Sequence, residues 1–314
     1  MWNGHVAASF QPRQGWRTRA PRRAHSRHNG DMDRFEEVRQ AAVRRLGEFD
    51  VVADHSWELG LAVVLEVVSS GGPLVLKGHA EPRLFEVEVE AYHEVVPAIA
   101  DRAPALCWVD EPTRVIAISL VLGRSLGAAA PDADRERSIY RDAGEVLRRL
   151  HSAKPATELT HWAEDKIEGF ERWVNRAPAG LLEPGDVAFA RAKVSLLAES
   201  SPPVGVSCHG DWQPRNWLVG EDGTIRIFDF ERVSVDWWGH DIQRMWWREW
   251  DGRPDLAEAH FEGYGRAPTD EELAVLRATS AAGHITQIVW GTEHGDRDFA
   301  EAGWRSLRSM RAAD

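Results

Sequence analysis

The sequence has almost no cysteine: Cys107 and Cys208 are the two among 314 residues. They lie far apart, in neither a CxxC nor a Cys/His spacing. That excludes a disulfide framework and a cysteine-based zinc site, and it suits a reducing cytoplasm. Long apolar runs are lacking too. The longest, around "VIAISLVLG", falls far short of the roughly 20 residues a membrane-spanning helix needs. Acidic residues are missing from positions 1–30, which hold six arginines and no apolar core of a secretory leader. Residues 1–32 read as a disordered basic extension, with Met32 as a candidate functional start ahead of a helical pattern. The remainder carries −18 against −12 for the whole chain. So acidic a body repels nucleic acid and attracts small cations. No nucleic acid, membrane or protein partner is implied. Internal repeats and low-complexity tracts are absent.

What is present is ordinary for a folded chain: 43% hydrophobic and 28% charged residues. The length is more than one small core requires, so two lobes of one unit are expected. Residues 33–47 show helical spacing through Phe35, Val38, Ala42, Val43 and Leu46, stopped by Gly47. "LAVVLEVVSS" (61–70) and "LVLKGHA" (74–80) flank "GGP" as a hairpin. Helical spacing follows over 83–100, then two further strands at 105–110 and 114–123. From about residue 124 the pattern is helical, over 135–153, 162–177 and 185–200. A short hairpin at 216–230 interrupts it before helices resume. The expectation is an α+β fold: a mixed-sheet lobe over 33–123, and a helical lobe over 124–314.

The chemistry concentrates in "HGDWQPRNW" (209–217) and in "IFDFER" (227–232) just beyond it. An aspartate on a tight loop, Asp211, can accept a proton from a hydroxyl. Asn216, five residues on, can offer its side-chain carbonyl to a divalent cation. Asp229, arriving at the end of a short hairpin, completes an all-oxygen set suited to Mg²⁺ on phosphates. Aspartate and asparagine in loops are also common turn formers, but the flanking pattern favours a site. "HGDWQPRN" has the order and spacing of the kinase catalytic loop His-Arg-Asp-Leu-x-x-x-Asn, with Gly210 for the arginine. Asp229 falls where the Asp-Phe-Gly segment of kinases falls, with Glu231 for its glycine.

These motifs resemble the aminoglycoside phosphotransferase family, small-molecule kinases of the protein-kinase-like two-lobed fold whose loop reads His-Gly-Asp. The resemblance runs over about 50–300. It implies that Asp211 orients and deprotonates the acceptor hydroxyl, with His209 bracing the catalytic loop. Asn216 and Asp229 would hold Mg²⁺ against ATP or GTP. Asp241, in "WWGHDIQRM", matches an aspartate that hydrogen-bonds back to that loop, or it is a plain helix-start carboxylate. Lys77, in "PLVLKGHA", takes the third-strand lysine position on the nucleotide phosphates. Its ion-pair partner is Glu90 or Glu86, Glu90 heading "EAYHEV"; Glu88 shares the alternation with both. The nucleotide-covering loop falls at "DHSWELG" (54–60), which lacks GxGxxG. A hinge near 119–123 would receive the base at Ser119 and Val121.

Between Asp229 and Asp241 lie only eleven residues. They leave no room for an activation loop and peptide platform, so the acceptor is a small molecule. The acidic body suits a cationic one, and an aminoglycoside-like antibiotic leads. Trp290, Glu293 and Asp296, at helical spacing near the C-terminus, and Asp241 are the candidate acceptor contacts. Tryptophans crowd 237–250; most are expected to fill core, though indole faces can also bind ammonium groups. A metabolic kinase for choline, a sugar or an amino alcohol is the alternative enzyme. A nucleotide-binding pseudokinase is the non-enzyme alternative, and the intact Lys77, Asp211, Asn216 and Asp229 speak against it.

Overall fold

The computed structural model describes residues 29–56, 62–201 and 203–314. Expectations for 1–28, for the part of the nucleotide-covering loop at 57–60 and for residue 61 of the expected hairpin lie outside the described residues. The described residues open with α1 (Asn29–Leu46), which begins four residues ahead of the expected start at 33. Five antiparallel strands follow: β1 (Phe49–Asp54), β2 (Ala62–Ser69), β3 (Gly72–His79), β4 (Leu106–Asp110) and β5 (Val115–Ser119). They are arranged in the order β1-β2-β3-β5-β4. Helix α2 (Pro82–Glu94) links β3 to β4, with proline in its first turn, where the missing N–H costs nothing.

Strand alternation sorts β3 between two layers. Leu74 and Leu76 join α1 through Val38, Ala41 and Ala42 in one apolar cluster. Val75 and Phe85 belong to the other cluster, which runs on into the large lobe. Lys77 and His79 share the parity of Val75, so they point toward α2 and the large lobe. Centrally placed in the sheet and covered by α2, Lys77 is buried rather than an edge charge.

The second lobe contains β6 (Arg124–Ser125), α3 (Leu126–Ala129), α4 (Ala133–His151), β7 (Thr157–Glu158), α5 (Trp162–Arg176) and α6 (Pro184–Val194). It continues with β8 (Val204–Cys208), β9 (Trp217–Val219), β10 (Ile225–Ile227), β11 (Ser234–Trp237), α7 (Gln243–Trp246), α8 (Pro254–Tyr264), α9 (Asp270–Glu293) and α10 (Arg297–Ala312). A β-carbon on Gly144 would lie 1.9 Å from the His260 carbonyl oxygen, and one on Gly263 would lie 1.8 Å from that of Arg141. Only glycine lets α4 and α8 approach so closely. Trp237, Trp238 and Trp250 are buried in this lobe, so the tryptophan-rich stretch mainly builds core. No described helix is long and apolar enough to cross a membrane.

Candidate active site

Two short turns at the lobe boundary carry the expected site. The first follows β8. Gly210 has φ +78°, and a β-carbon there would lie 2.1 Å from the Arg232 carbonyl oxygen. An arginine, as in the kinase loop, would not fit. Asp241 braces this turn from behind: Oδ2 accepts the His209 N–H at 2.7 Å and Oδ1 the Gly210 N–H at 2.8 Å. His151 Nε2 lies 3.0 Å from the same Oδ2. Asp241 is therefore buried and fully engaged, and its expected contact with an acceptor is corrected to a loop brace. His209 is also spent on structure. Its Nε2 lies 3.2 Å from the Phe228 carbonyl, and its Nδ1 accepts the Asp211 N–H at 3.3 Å, an arrangement that fits the neutral ring. Fully buried and engaged at both ring nitrogens, His209 braces the loop rather than offering a catalytic group.

Asp211 is 3% exposed. Asn216 Nδ2 donates to its backbone carbonyl at 2.8 Å and to its Oδ2 at 2.9 Å. With the amide turned inward, the Asn216 carbonyl oxygen is the atom left for a cation. Gln213 and Arg244 donate to Asp211 Oδ1, and Arg215 to Oδ2 at 2.8 Å. Burial alone would raise the Asp211 pKa, but Arg244, Arg215 and these hydrogen bonds hold it well below the usual carboxylate range.

The second turn follows β10. Asp229 has φ +71°, a left-handed conformation that aspartate tolerates better than most residues. Its half-exposed carboxylate meets Lys77 Nζ at 2.6 Å across the lobes. Lys77 also pairs with Glu88 at 2.8 Å and Glu231 at 2.9 Å. Burial works against its charge, yet the three carboxylates outweigh burial and raise its pKa well above the ordinary value. Glu88 is pulled down to about 2, Lys77 and His79 together outweighing its burial. His79 Nε2 lies 2.6 Å from Glu88 Oε2.

This corrects the expected partner of Lys77. Glu90 is exposed and faces Lys154 at 3.5 Å, while Glu88 occupies the buried place. The signal was present: Phe85, Glu88 and Tyr92 form the buried stripe of α2. Glu231, in the position of the kinase glycine, and His79 were not anticipated. Ser119 ends β5, where its hydroxyl accepts the Ala105 N–H at 2.9 Å. Val121 follows in the irregular segment between β5 and β6.

The expected acceptor wall differs as well. Trp290 stacks on His294 at 4.1 Å between ring centroids, and Glu293 binds Arg176 at 2.7 Å. Asp296 caps α10, accepting the Phe299 N–H at 2.9 Å. Neither carboxylate is left without a partner for a cationic ligand. Two arginines, Arg215 and Arg244, grip Asp211 directly.

The oxygen-only set of the Asn216 carbonyl and the half-exposed Asp229 carboxylate, beside buried Lys77, fits a hard divalent cation bridging phosphates. The sequence pattern of the phosphotransferase enzyme family matches residues 61–278. The chain belongs to that family. No curated protein matches it in sequence. Among solved structures it is similar to aminoglycoside phosphotransferase APH(4)-Ia, with 16% identity, a TM-score of 0.69, and coverage of 89% of this chain and 99% of that one. The GDP and kanamycin complex of APH(2")-IIia aligns with TM-score 0.67 and 14% identity over 88% and 98% of the two chains. Macrolide 2'-phosphotransferase type I aligns with TM-score 0.61 and 16% identity over 90% and 99%. These likenesses establish the two-lobed α+β kinase-like architecture for this family member.

Proposed function

We propose that this phosphotransferase moves the γ-phosphoryl group of ATP or GTP to a hydroxyl of a small molecule, with Mg²⁺. One observation carries the reading: Lys77 from the sheet lobe and Asp229 from the helical lobe meet at 2.6 Å. They do so close to the Asp211–Asn216 turn, which is where a triphosphate must be held from both sides. Asn216 and Asp229 would hold the metal, whose charge offsets that of the phosphates. Lys77, anchored by Glu88, is the phosphate-binding cation, and Ser119 to Val121 is the segment for the base.

In the reaction the acceptor hydroxyl oxygen forms a bond to the γ-phosphorus while the bond from that phosphorus to the β,γ-bridging oxygen breaks. The nucleoside diphosphate leaves with the electron pair. The hydroxyl proton passes to Asp211 Oδ1. An aspartate held below the usual carboxylate range is a weak base, but a loose phosphoryl transfer asks mainly for positioning. The segment between Asp229 and Asp241 is taken up by β11 and one turn of 3₁₀ helix, which supports a small acceptor over a peptide.

Diphosphate release from Mg·ATP and Mg·GTP, followed with and without a panel of small alcohols, tests this reading. Acceptor-stimulated release with a new phosphoester signal in ³¹P NMR supports it. Nucleotide binding with no transfer to any acceptor would favour the pseudokinase instead.

A further inference from the structure

The positive charge beside Asp211 exceeds what that carboxylate needs. Arg244 of α7 donates to Oδ1, and its guanidinium lies 5.8 Å from the Phe299 ring centroid at the start of α10. Arg215 holds Oδ2 at 2.8 Å. Arg248, four residues beyond Arg244, is half-buried. Its Nη2 is closed off from solvent and finds no acceptor among the described residues. His284 Nε2, from α9, is likewise buried without a partner. Burial and the repulsion of Arg215 and Arg232 outweigh the attraction of Asp211 and hold the Arg244 pKa below its ordinary value. At Arg248, burial with Arg244 and Arg215 likewise outweighs the attraction of Glu249 and Asp211 and holds the pKa below its ordinary value. Buried guanidinium groups nearly always have acceptors. A guanidinium nitrogen buried without an acceptor, within the field of two arginines already spent on Asp211, points to an anion from outside.

We infer that the acceptor is an anionic alcohol, whose carboxylate or phosphate group is received by Arg244 and Arg248 while its hydroxyl faces Asp211. The inference rests on the phosphotransferase reading and reverses the charge expected for its substrate. The local field decides against the net charge: a cationic amine entering here would meet three arginines. Against them stands one further acid, Glu249, whose Oε2 is itself buried without a hydrogen-bond partner among the described residues. Glu293 and Asp296 are already engaged. Coupling to the reaction follows from the contacts. Gln213, Arg215, Asn216 and Arg244 fill both oxygens of Asp211, leaving little room for a hydroxyl proton. Moving Arg244 onto the acceptor's anion vacates Oδ1 for that proton.

The test uses the full chain saturated with Mg·ADP, so that the nucleotide site is filled. Malonate, inorganic phosphate and kanamycin are titrated separately, with tryptophan fluorescence as the readout. Saturable binding of malonate or inorganic phosphate is expected, the tighter of the two showing which oxyacid is preferred. At least tenfold weakening is expected in both Arg244→Gln and Arg248→Gln, with Arg248→Lys recovering part of it. Kanamycin is expected not to bind. Failure of both anions to bind, anion binding unchanged in Arg248→Gln, or saturable kanamycin binding overturns the inference. Failure of Mg·ADP itself to bind would instead strike at the phosphotransferase reading.

Discussion

Lys77 Nζ lies 2.6 Å from Asp229 Oδ1, although the two residues are 152 positions apart. This contact ties the sheet lobe to the helical lobe at the point where the phosphates are proposed to bind. Glu88 and Glu231 surround the same ammonium. Lys77→Met leaves three carboxylates without their shared cation. Nucleotide affinity, read by calorimetric titration of Mg·ATP, is expected to fall at least tenfold. Stability is expected to drop by about 3 kcal/mol, since breaking a buried ion pair leaves uncompensated charge. Unchanged affinity would separate Lys77 from the nucleotide.

Glu88 and Glu90 give a paired test. Glu88→Gln weakens the anchor of Lys77 and is expected to lower turnover tenfold or more. Glu90→Gln removes one exposed contact with Lys154, the kind of pair worth about 0–1 kcal/mol, and is expected to leave turnover within twofold. The reverse order in steady-state assays would restore the sequence-based choice of Glu90.

Gly210→Ala places a β-carbon against the Arg232 carbonyl oxygen and strains a left-handed backbone. Roughly 1–3 kcal/mol of stability should be lost, with turnover down more than tenfold. Gly210→Arg, which writes the protein-kinase loop into this chain, is expected to be worse. Wild-type melting and activity in either variant would contradict the geometry of the turn.

Much of this arrangement is legible in the sequence. The runs of valine and leucine at β2 and β3 and the spacing of the large-lobe helices mark the two lobes. The Asp211, Asn216 and Asp229 spacing marks the site. β1 escaped because it is a short edge strand with Val51 and Val52 both exposed; pairing with β2, not alternation, makes it a strand. Glu88 escaped because Glu86, Glu88 and Glu90 alternate along the segment read as helical, and only the helix face that buries 85, 88 and 92 distinguishes among them. Arg244 and Arg248 escaped because net charge says nothing about a local field. Only the fold brings Arg244 of α7 against Asp211 in an otherwise acidic body.

Stability is expected to fall with acid earlier than carboxylate titration alone would cause. Burial pushes the His260 pKa down to about 3, with His151 adding to the shift, and its ring nitrogens have no partner among the described residues. Burial, with Arg248 and Arg244, pushes His284 down to about 3 as well. Their unfolded values lie near 6.5, so between those limits the unfolded chain binds the extra protons. The stability from keeping them neutral is whole above about pH 6.5. It is lost as pH falls toward 3, at about 1.4 kcal/mol per pH unit for each histidine. Urea midpoints between pH 7 and 5 check this, and His260→Leu is expected to flatten the dependence. A flat wild-type profile over that range would contradict it.

The most direct measurement compares Asp211→Asn with the wild type for phosphoester formation and for Mg·ATP affinity in the same preparations. The substitution keeps the size of the side chain and removes the proton acceptor. Transfer is expected to fall by about 10²–10⁴, with nucleotide affinity within threefold of the wild type. Transfer at wild-type rates by Asp211→Asn would show that phosphoryl transfer in this protein does not run through that carboxylate.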